Sequence, residues 1–235
     1  SPYYSNLACI SKYDVDYFSK MAIDVENYYP IGAIRASQYM ASFSKKPKKF
    51  DLCVVTNSTN ARPENIKLWK YTLKYIETHD VTACLALKMN NRNENFKGHI
   101  KGLEKFFASS KVTIVERNRD SSQSASDESE VTIGSHSAVL RQTFSRGNKI
   151  YPINFVHSAM SPPYDLLGYP LDPTYEEFQS HLDYLLSEDQ QTYCDRYREL
   201  MAYLDIFSPK NPPMKKLENI IKELVSSANP LISKQ

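Results

Sequence analysis

The sequence predicts an α/β fold with a doubly wound parallel sheet and additional helices in its C-terminal part. Two observations support this prediction: short apolar runs alternate with helical patterns from residue 50 onward, and beyond Pro170 the pattern becomes helical only. Strands that alternate with helices join through right-handed crossovers, which produce a parallel sheet with helices on both faces. No internal repeat is visible.

Five short apolar runs are predicted as strands, at residues 50–55, 81–87, 112–115, 131–133 and 149–155. A helix is predicted after the first of them, because its apolar residues are spaced three or four apart and so describe one helical face. These residues are Ile66, Trp69, Leu73 and Ile76. Pro63 suits the start of this helix, since its missing N–H would be unpaired there anyway.

Further helices are predicted between and after the later strands. One carries Ile100, Leu103, Phe106 and Phe107 on one side. Another covers residues 138–146, and Gly147 ends it by adopting a positive φ. Residues 174–177 and 187–190 each have the form of a capping box, so each predicts the start of a C-terminal helix. A proline cluster precedes a last amphipathic helix at residues 217–225.

Composition excludes several classes of protein. With 235 residues, of which 41% are hydrophobic and 24% charged, the chain has enough apolar surface for a packed core of one domain or slightly more. Its net charge of +2 gives no general attraction to nucleic acid, and no apolar run approaches the roughly 20 residues that span a bilayer. Only 6 glycines are present, and neither G-x-G-x-x-G nor G-x-x-x-x-G-K occurs, which excludes glycine-rich phosphate loops.

The four cysteines are far apart in the sequence and form no C-x-x-C pair, so a structural zinc site is not expected. Cys53 and Cys84 stand in apolar runs and are predicted to be buried free thiols. Free thiols indicate a reducing compartment, and no secretory signal opens the sequence. We therefore expect a cytoplasmic protein.

Polar side chains follow every predicted strand. In an open parallel sheet, ligands bind in the crevice beyond the carboxyl ends of the strands, where the strand order reverses. The residues expected there, in chain order, are Thr56, Asn57, Ser58 and Thr59, then Lys88 and Arg92, then Glu116, then Ser135, His136 and Ser137, and finally Asn154 and His157. Loops are polar in general, and this remains the alternative interpretation of these residues.

The start of the helix after the fourth strand has the features of a phosphate-binding site. Free backbone N–H groups, the positive end of the helix dipole and the hydroxyls of Ser135 and Ser137 would all face a ligand there. His136 would donate to a phosphoryl oxygen or stabilise a leaving group, and Lys88 and Arg92 would neutralise a diphosphate. The alternatives are a structural histidine, serines that only cap the helix, and cations that are ordinary surface charges.

Residues 127–149 resemble the donor-nucleotide region of GT-B-type glycosyltransferases, particularly those that build surface carbohydrate. The pattern runs through the acidic residues Asp127, Glu128 and Glu130, the short apolar run 131–133, the small-residue turn 134–137, the Leu-Arg pair at 140–141, and Gly147 with Lys149 before the next strand. Pro30 to Arg35 is similar to a segment that precedes the second domain of such enzymes, and their tyrosine- and glutamate-rich helices look like residues 175–204. Two departures stand out: Gln142 replaces the family's ribose-binding glutamate, and Glu130 replaces an aspartate.

The resemblance implies a division into domains. Residues 50–170 would form a Rossmann-like domain that binds the nucleotide sugar, and residues 171–235 a C-terminal helical extension. Residues 1–49 would be an N-terminal segment and linker, which is either a remnant or an abbreviated form of the acceptor-side unit. A full GT-B enzyme has two doubly wound domains and this chain supplies one, so further domains of a longer polypeptide are expected partners.

The function that the resemblance implies is that of a Leloir-type glycosyltransferase, which moves a sugar from a nucleotide-sugar donor to a glycan or glycoconjugate acceptor. His136 and Lys88 are the predicted catalytic residues. The predicted donor-binding residues are Thr56, Asn57, Ser58, Arg92, Glu116, Glu128, Ser135, Ser137 and Gln142. No metal or other cofactor is expected, because the dipole and cations neutralise the leaving phosphate and the triplet Asp14-Val15-Asp16 is predicted to cap a short helix. The alternatives are a polyol-phosphate transferase of the CDP-glycerol type and a non-catalytic nucleotide- or carbohydrate-binding module of a larger synthase.

Overall fold

The computed structural model describes residues 2–34, 47–55, 63–86, 101–102, 105–108, 111–115, 121–135, 137–153, 155, 167–170, 172–204 and 211–228. The chain forms two compact units. The smaller unit comprises residues 1–44 and 198–235, and the larger unit comprises residues 45–197. The division into domains at residues 49 and 170 stays a prediction.

The smaller unit begins with two parallel strands, β1 (Tyr3–Cys9) and β2 (Asp24–Pro30), joined by helix α1 (Lys12–Phe18). Oδ2 of Asp14 accepts hydrogen bonds from the backbone N–H and the hydroxyl of Ser11, at 2.8 and 3.0 Å. Oδ2 of Asp16 accepts one from the hydroxyl of Tyr203 at 3.0 Å. Asp14 therefore completes the capping box of a short helix, as predicted, with Ser11 as the N-cap, whereas Asp16 lies inside the helix.

The larger unit is built on a five-stranded sheet in which every pair of neighbours is parallel. The strand order is β5-β4-β3-β6-β7. In chain order the elements are β3 (Phe50–Val55), α2 (Pro63–Thr78), β4 (Ala83–Ala86), β5 (Val112–Ile114), α3 (Ser121–Asp127), β6 (Ser129–Gly134), α4 (Ala138–Ser145), β7 (Lys149–Pro152), α5 (Tyr175–Ser187) and α6 (Gln190–Leu204). Helix α6 continues into the smaller unit, which also contains α7 (Pro213–Ala228). The predicted doubly wound parallel sheet is confirmed.

The core strands read as continuous apolar runs because both faces of the sheet are covered. Residues 52–55 of β3 and all of β4 are at most 2% exposed. Cys53 and Cys84 are neighbours in register on these two strands, and both are fully buried free thiols, as predicted. None of the helices in the described ranges is long and apolar enough to cross a membrane.

Helix α2 begins at Pro63 as predicted, and Trp69 and Ile76 of its predicted apolar face are buried, but Ile66 is not. Ile66 is 36% exposed, whereas Leu68 and Tyr75 are at most 1% exposed. Tyr75 is buried because α2 packs on α5, where its ring lies 6.3 Å from that of Phe178. A helix that is covered from two sides buries a wider stripe than one row of apolar spacing indicates.

The two predicted capping boxes have different outcomes. At the start of α5 the box is present, since the N–H of Thr174 donates to Glu177 at 2.8 Å and the N–H of Glu177 donates to the Thr174 hydroxyl at 3.2 Å. The box predicted at residues 187–190 is wrong. Asp189 caps α6 instead, because its Oδ1 accepts from two backbone N–H groups of the first turn, while the Ser187 hydroxyl donates back into α5.

Helices α5 and α6 cover the edge of the sheet at β7. The ring of Tyr151 stacks on Phe178 with centroids 5.5 Å apart, and the hydroxyl of Tyr193 accepts a hydrogen bond from the N–H of Ile150 at 3.2 Å. Lys149 is 2% exposed, and its Nζ donates to the carbonyl oxygens of Leu185, at 2.8 Å, and Glu188. Burial lowers the pKa of this lysine. These contacts satisfy both an edge-strand N–H group and the carbonyl end of α5.

Candidate functional site

The candidate site lies where the strand order of the larger unit reverses. From β3 the chain winds outward through β4 and β5, and it then returns to the other side of β3 to form β6 and β7. In an open parallel sheet, the two strands on either side of such a reversal, here β3 and β6, flank the crevice in which ligands bind. Val55 and Gly134 are the last residues of the two strands and are neighbours in register.

Gly134 brings the two strand ends into close contact. A Cβ atom at this position would lie 2.4 Å from Cγ2 of Val55 and 2.9 Å from the Val55 carbonyl oxygen. Both distances are shorter than any normal contact of a Cβ atom, so only glycine fits. Gly134 thereby fixes the path of the chain into the turn that carries Ser135 and Ser137.

Helix α4 starts at this turn. Ser137 is its N-cap, with extended backbone angles and a hydroxyl that accepts a hydrogen bond from the N–H of Val139 at 3.3 Å. Ser135 is 3% exposed, and Leu140 and Phe144 anchor the helix with side chains that are fully buried. The predicted position of the helix start, at the carboxyl end of β6, is therefore confirmed. The hydroxyl of Ser137 caps the helix, as the alternative interpretation proposed.

The end of α4 also agrees with the prediction from the sequence. Gly147 has a φ of +83° and its N–H donates to the carbonyl of Phe144 at 2.8 Å, as predicted for a glycine that ends a helix. The Gly147 carbonyl accepts hydrogen bonds from Cys194, at 3.2 Å, and from the side-chain amide of Gln190. Both ends of α4 are thus fixed, and its first turn is held at the crevice.

Seven of the predicted site residues lie outside the described part of the chain. They are Thr56, Asn57, Ser58, Lys88, Arg92, Glu116 and His136. Their roles stay predictions. Four predicted site residues are described, and the structure brings only Ser135 and Ser137 together at the crevice.

Glu128 lies at the opposite edge of the sheet. It precedes β6, its carbonyl accepts hydrogen bonds from the N–H groups of Lys49 and Phe50, and its carboxylate is 3.0 Å from Nζ of Lys49. A six-residue strand is about 20 Å long, so this carboxylate is about that far from the carboxyl end of β6. The predicted ribose-binding role of Glu128 does not fit this position.

Gln142 lies five residues after Ser137 on α4. Its Oε1 is 3.4 Å from Nε2 of Gln123, which belongs to α3. Five residues of helix rise by about 7.5 Å, so Gln142 is one and a half turns from the crevice along the helix axis. Its contact with a ribose stays a prediction.

One group of residues at the carboxyl edge was missed by sequence reasoning. Nζ of Lys67 is 2.6 Å from Oδ1 of Asp172 and 4.6 Å from the centre of the Phe155 ring. Lys67 belongs to the first turns of the helix that follows β3, and Phe155 follows the carboxyl end of β7. The pair therefore lies on the side of the sheet where the crevice opens. Its hydrogen bond with Asp172 raises the pKa of Lys67.

Asp172 has a φ of +48°, which an aspartate adopts less readily than a glycine or an asparagine. A residue in this conformation persists only where its surroundings hold it, and such residues are frequent at functional sites. No local pattern marks the pair in the sequence, because its two members are 105 positions apart. In the sequence, this segment is marked only by the prolines at positions 170 and 173.

Comparisons with known proteins place the fold in a known class. No protein-family profile matches the sequence, and no curated protein matches it. Among solved structures, the UDP-GlcNAc 2-epimerase of Methanocaldococcus jannaschii in complex with UDP-GlcNAc and UDP is 11% identical, with a TM-score of 0.59 over 94% of this chain and 61% of that one. A glycosyltransferase from Rickettsia africae is 12% identical, with a TM-score of 0.55 over 94% of this chain and 64% of that one. A putative UDP-N-acetylglucosamine 2-epimerase from Listeria monocytogenes is 9% identical, with a TM-score of 0.52 over 86% and 54%.

These similarities show the fold alone. The chain has the α/β architecture of GT-B-type enzymes, which confirms the resemblance inferred from residues 127–149 as far as the fold is concerned. It spans 54–64% of the length of these three solved chains.

Proposed function

We propose that the chain binds a nucleotide sugar at the carboxyl ends of β3 and β6 and is the donor-binding part of a glycosyltransferase acting on a glycan or glycoconjugate. One observation carries the proposal: the first turn of α4 starts at the point where the strand order reverses, next to Gly134. The similarity in fold to enzymes named for UDP-GlcNAc, and to a solved complex with UDP-GlcNAc and UDP, supports it.

The proposed mechanism is electrostatic. The first turn of α4 presents backbone N–H groups and about half a positive charge, and a pyrophosphate carries the complementary negative charge. As the bond between the sugar and the phosphate breaks, negative charge grows on the departing nucleotide, and groups fixed in place stabilise it without reorganising. His136 and Lys88 would supply charge to the leaving phosphate, with Arg92 on the diphosphate. No bound metal is required in this proposal.

The remaining predicted residues would hold the rest of the donor. Thr56, Asn57 and Ser58 come directly after β3 and would line the floor of the crevice, with Glu116 at its side. Gln142 would bind the ribose as a neutral hydrogen-bonding group. We add Lys67 to this set, since its ammonium group lies at the same edge of the sheet and its partner Asp172 is 57% exposed and open to exchange for a ligand.

Nucleotide binding tests the first part of the proposal. We expect one of UDP, GDP, CMP, CDP and dTDP to raise the melting temperature of the chain, because a ligand at 100 times its Kd adds about 2.7 kcal/mol to the free energy of unfolding. Ser137→Ala should weaken this binding, measured by calorimetry at a temperature where both proteins are folded. Ser187→Ala is the matched control, since this serine also bonds locally but lies in the last turn of α5. Equal binding by both variants would contradict a contribution of the Ser137-capped turn to nucleotide binding.

Product analysis tests the second part. In a transfer assay with a glycan acceptor, His136→Ala and Lys88→Ala should each lower the rate strongly while leaving the melting temperature almost unchanged. A phosphodiester product would indicate a polyol-phosphate transferase, and a converted donor without transfer would indicate an epimerase. Binding without any consumption of donor would indicate a non-catalytic module. Parental transfer rates for both variants would refute the assigned roles.

A further inference from the structure

A second cavity lies in the larger unit, and its lining shares no residue with the β3–β6 crevice. It has a volume of about 360 Å³ and is formed by residues 167–169, α5 and α6. It adjoins β7, the edge strand, because the ring of Tyr169 in its wall lies 5.1 Å from that of Tyr151. This volume is within the range of small-molecule sites. The nucleotide-binding mechanism proposed above makes no use of it.

Aromatic rings make up much of the wall of this cavity. Tyr169, Tyr184 and Tyr197 all line it. The guanidinium of Arg196 is held against two of them, 5.3 Å from the centre of the Tyr184 ring and 4.8 Å from that of Tyr197. Tyr184 is 48% exposed, so its ring is accessible from solvent. Rings held in this way offer flat apolar surface at a small cost in conformational entropy.

The guanidinium in the wall of the cavity is paired with a carboxylate. Arg196 is paired with Glu188 at 2.5 Å, and the Glu188 side chain is only 5% exposed. Nδ1 of His181 lies 2.8 Å from the carbonyl oxygen of Glu177. A carbonyl only accepts, so Nδ1 donates this hydrogen bond, and in the tautomer with its hydrogen on Nδ1 the other nitrogen, Nε2, is an acceptor. The cavity thus combines donors on the guanidinium with an acceptor on the imidazole.

We propose that this cavity binds a single uncharged sugar residue, as a glycan-binding site separate from the nucleotide crevice. The apolar face of a pyranose ring stacks on a tyrosine, while its hydroxyls both donate and accept hydrogen bonds and so match the guanidinium and the imidazole. An anion fits less well, because the guanidinium of Arg196 is already paired with the Glu188 carboxylate, which would repel a second negative charge.

Ligand-observed NMR with simple methyl glycosides tests the proposal. The probes are the methyl glycosides of glucose, galactose and N-acetylglucosamine, with uridine and inorganic phosphate as competing chemistries. We expect saturation transfer from the protein to at least one glycoside, with a Kd in the millimolar range, which corresponds to a binding free energy of about −4 kcal/mol. Tyr184→Ala should weaken this binding at least tenfold, and His181→Phe should weaken it while keeping an aromatic ring in place.

Tyr4→Ala is the matched control, since Tyr4 is 47% exposed and lies in the smaller unit. Melting temperatures establish that each variant is folded. The proposal is overturned if no glycoside binds the parental chain, if Tyr184→Ala binds as well as Tyr4→Ala, or if only uridine or phosphate binds. Nucleotide binding to the crevice is measured separately and should be the same in Tyr184→Ala and the parental chain, so failure of either site is recognised independently.

Discussion

Gly134 approaches Val55 so closely that a Cβ atom on the glycine would lie 2.4 Å from Cγ2 of the valine. The two residues end neighbouring strands at the point where the strand order reverses. The missing side chain lets the chain turn directly from β6 into the start of α4. The geometry of the proposed phosphate site therefore depends on this one contact between strands.

Gly134→Ala should lower the free energy of unfolding by about 1–3 kcal/mol, because the new methyl group must push β6 away from Val55. Urea unfolding measures this loss. Gly102→Ala is the control, since nothing lies within 4 Å of a Cβ there and the residue is helical. Alanine at that position should be neutral or stabilise by up to roughly 1 kcal/mol. An equal effect of the two substitutions would contradict the close contact.

A buried ion pair ties the end of α3 to the end of α4. Nε and Nη2 of Arg146 lie 3.0 and 2.9 Å from Oδ1 of Asp127, and both side chains are 1% exposed. Arg146→Met should cost about 3–5 kcal/mol, because it leaves a buried carboxylate without its cation. Adding Asp127→Asn should restore part of that loss, since the uncompensated charge is removed and the hydrogen bond from Asn148 is kept.

The exposed pair of Lys111 and Asp80, 3.4 Å apart, provides the control for this experiment. Lys111→Met should change the free energy of unfolding by no more than about 1 kcal/mol. Unfolding curves of the single and double variants give the coupling between Asp127 and Arg146. Simple additivity of the two substitutions would show that the pair is not energetically coupled.

Two fully buried tyrosines should respond in opposite directions to the same substitution. The hydroxyl of Tyr151 has no hydrogen-bond partner among the described residues, whereas that of Tyr193 accepts from the N–H of Ile150. Tyr151→Phe should therefore stabilise the chain by about 1 kcal/mol, because an unsatisfied buried hydroxyl is removed. Tyr193→Phe should destabilise it by roughly 1–2 kcal/mol, because the edge-strand N–H loses its partner. Denaturant midpoints of the two variants decide the matter, and a shift of the same sign in both would refute it.

Stability should fall at alkaline pH. Burial is the main cause that raises the pKa of Tyr75, Tyr151 and Tyr193 above the ordinary value of 10.0, and none of the three is more than 1% exposed. A raised pKa in the folded state contributes stability that is fully present below pH 10 and is lost as pH rises beyond it. Each of these residues should cost up to about 1.4 kcal/mol per pH unit above 10.

The lowered pKa of Lys149 has the opposite effect, because it makes the free energy of unfolding rise with pH. This effect ends at the ordinary lysine pKa of 10.5 and comes from a single group. The net result should be cooperative unfolding above pH 10, seen as a step in tyrosinate absorbance near 295 nm. Tyr151→Phe should shift this step to higher pH. A smooth titration of all 17 tyrosines near pH 10 in the folded protein would contradict the burial argument.

Sequence reasoning succeeded where the signal is local. Pro63 starts a helix, Gly147 ends one, and Thr174 with Glu177 forms a box, because each of these features depends on residues within one turn. The order of apolar runs was sufficient to predict the parallel sheet, since crossover handedness leaves few other arrangements.

Sequence reasoning failed where the burial or pairing of a residue depends on a partner that is distant in the chain. Tyr75 was missed as a core residue of α2 because it packs on α5, a helix about 100 residues away in the chain. Glu128 matches a family pattern, yet its place before β6 puts it at the wrong end of the strand. The pair of Lys67 and Asp172 has no sequence signature at all, because only the folded sheet brings its two members together.

The position of Lys149 has a consequence for which residues of this protein can change in evolution. Its ammonium group joins the first residue of β7 to the last carbonyls of α5, and the nearby pair of Asp127 and Arg146 joins two further helix ends. The framework is thus fastened at the amino-terminal side of the strands, remote from the proposed donor crevice. Under the proposed function, residues on the other side, Gly134 excepted, can therefore change with the ligand without removing these contacts.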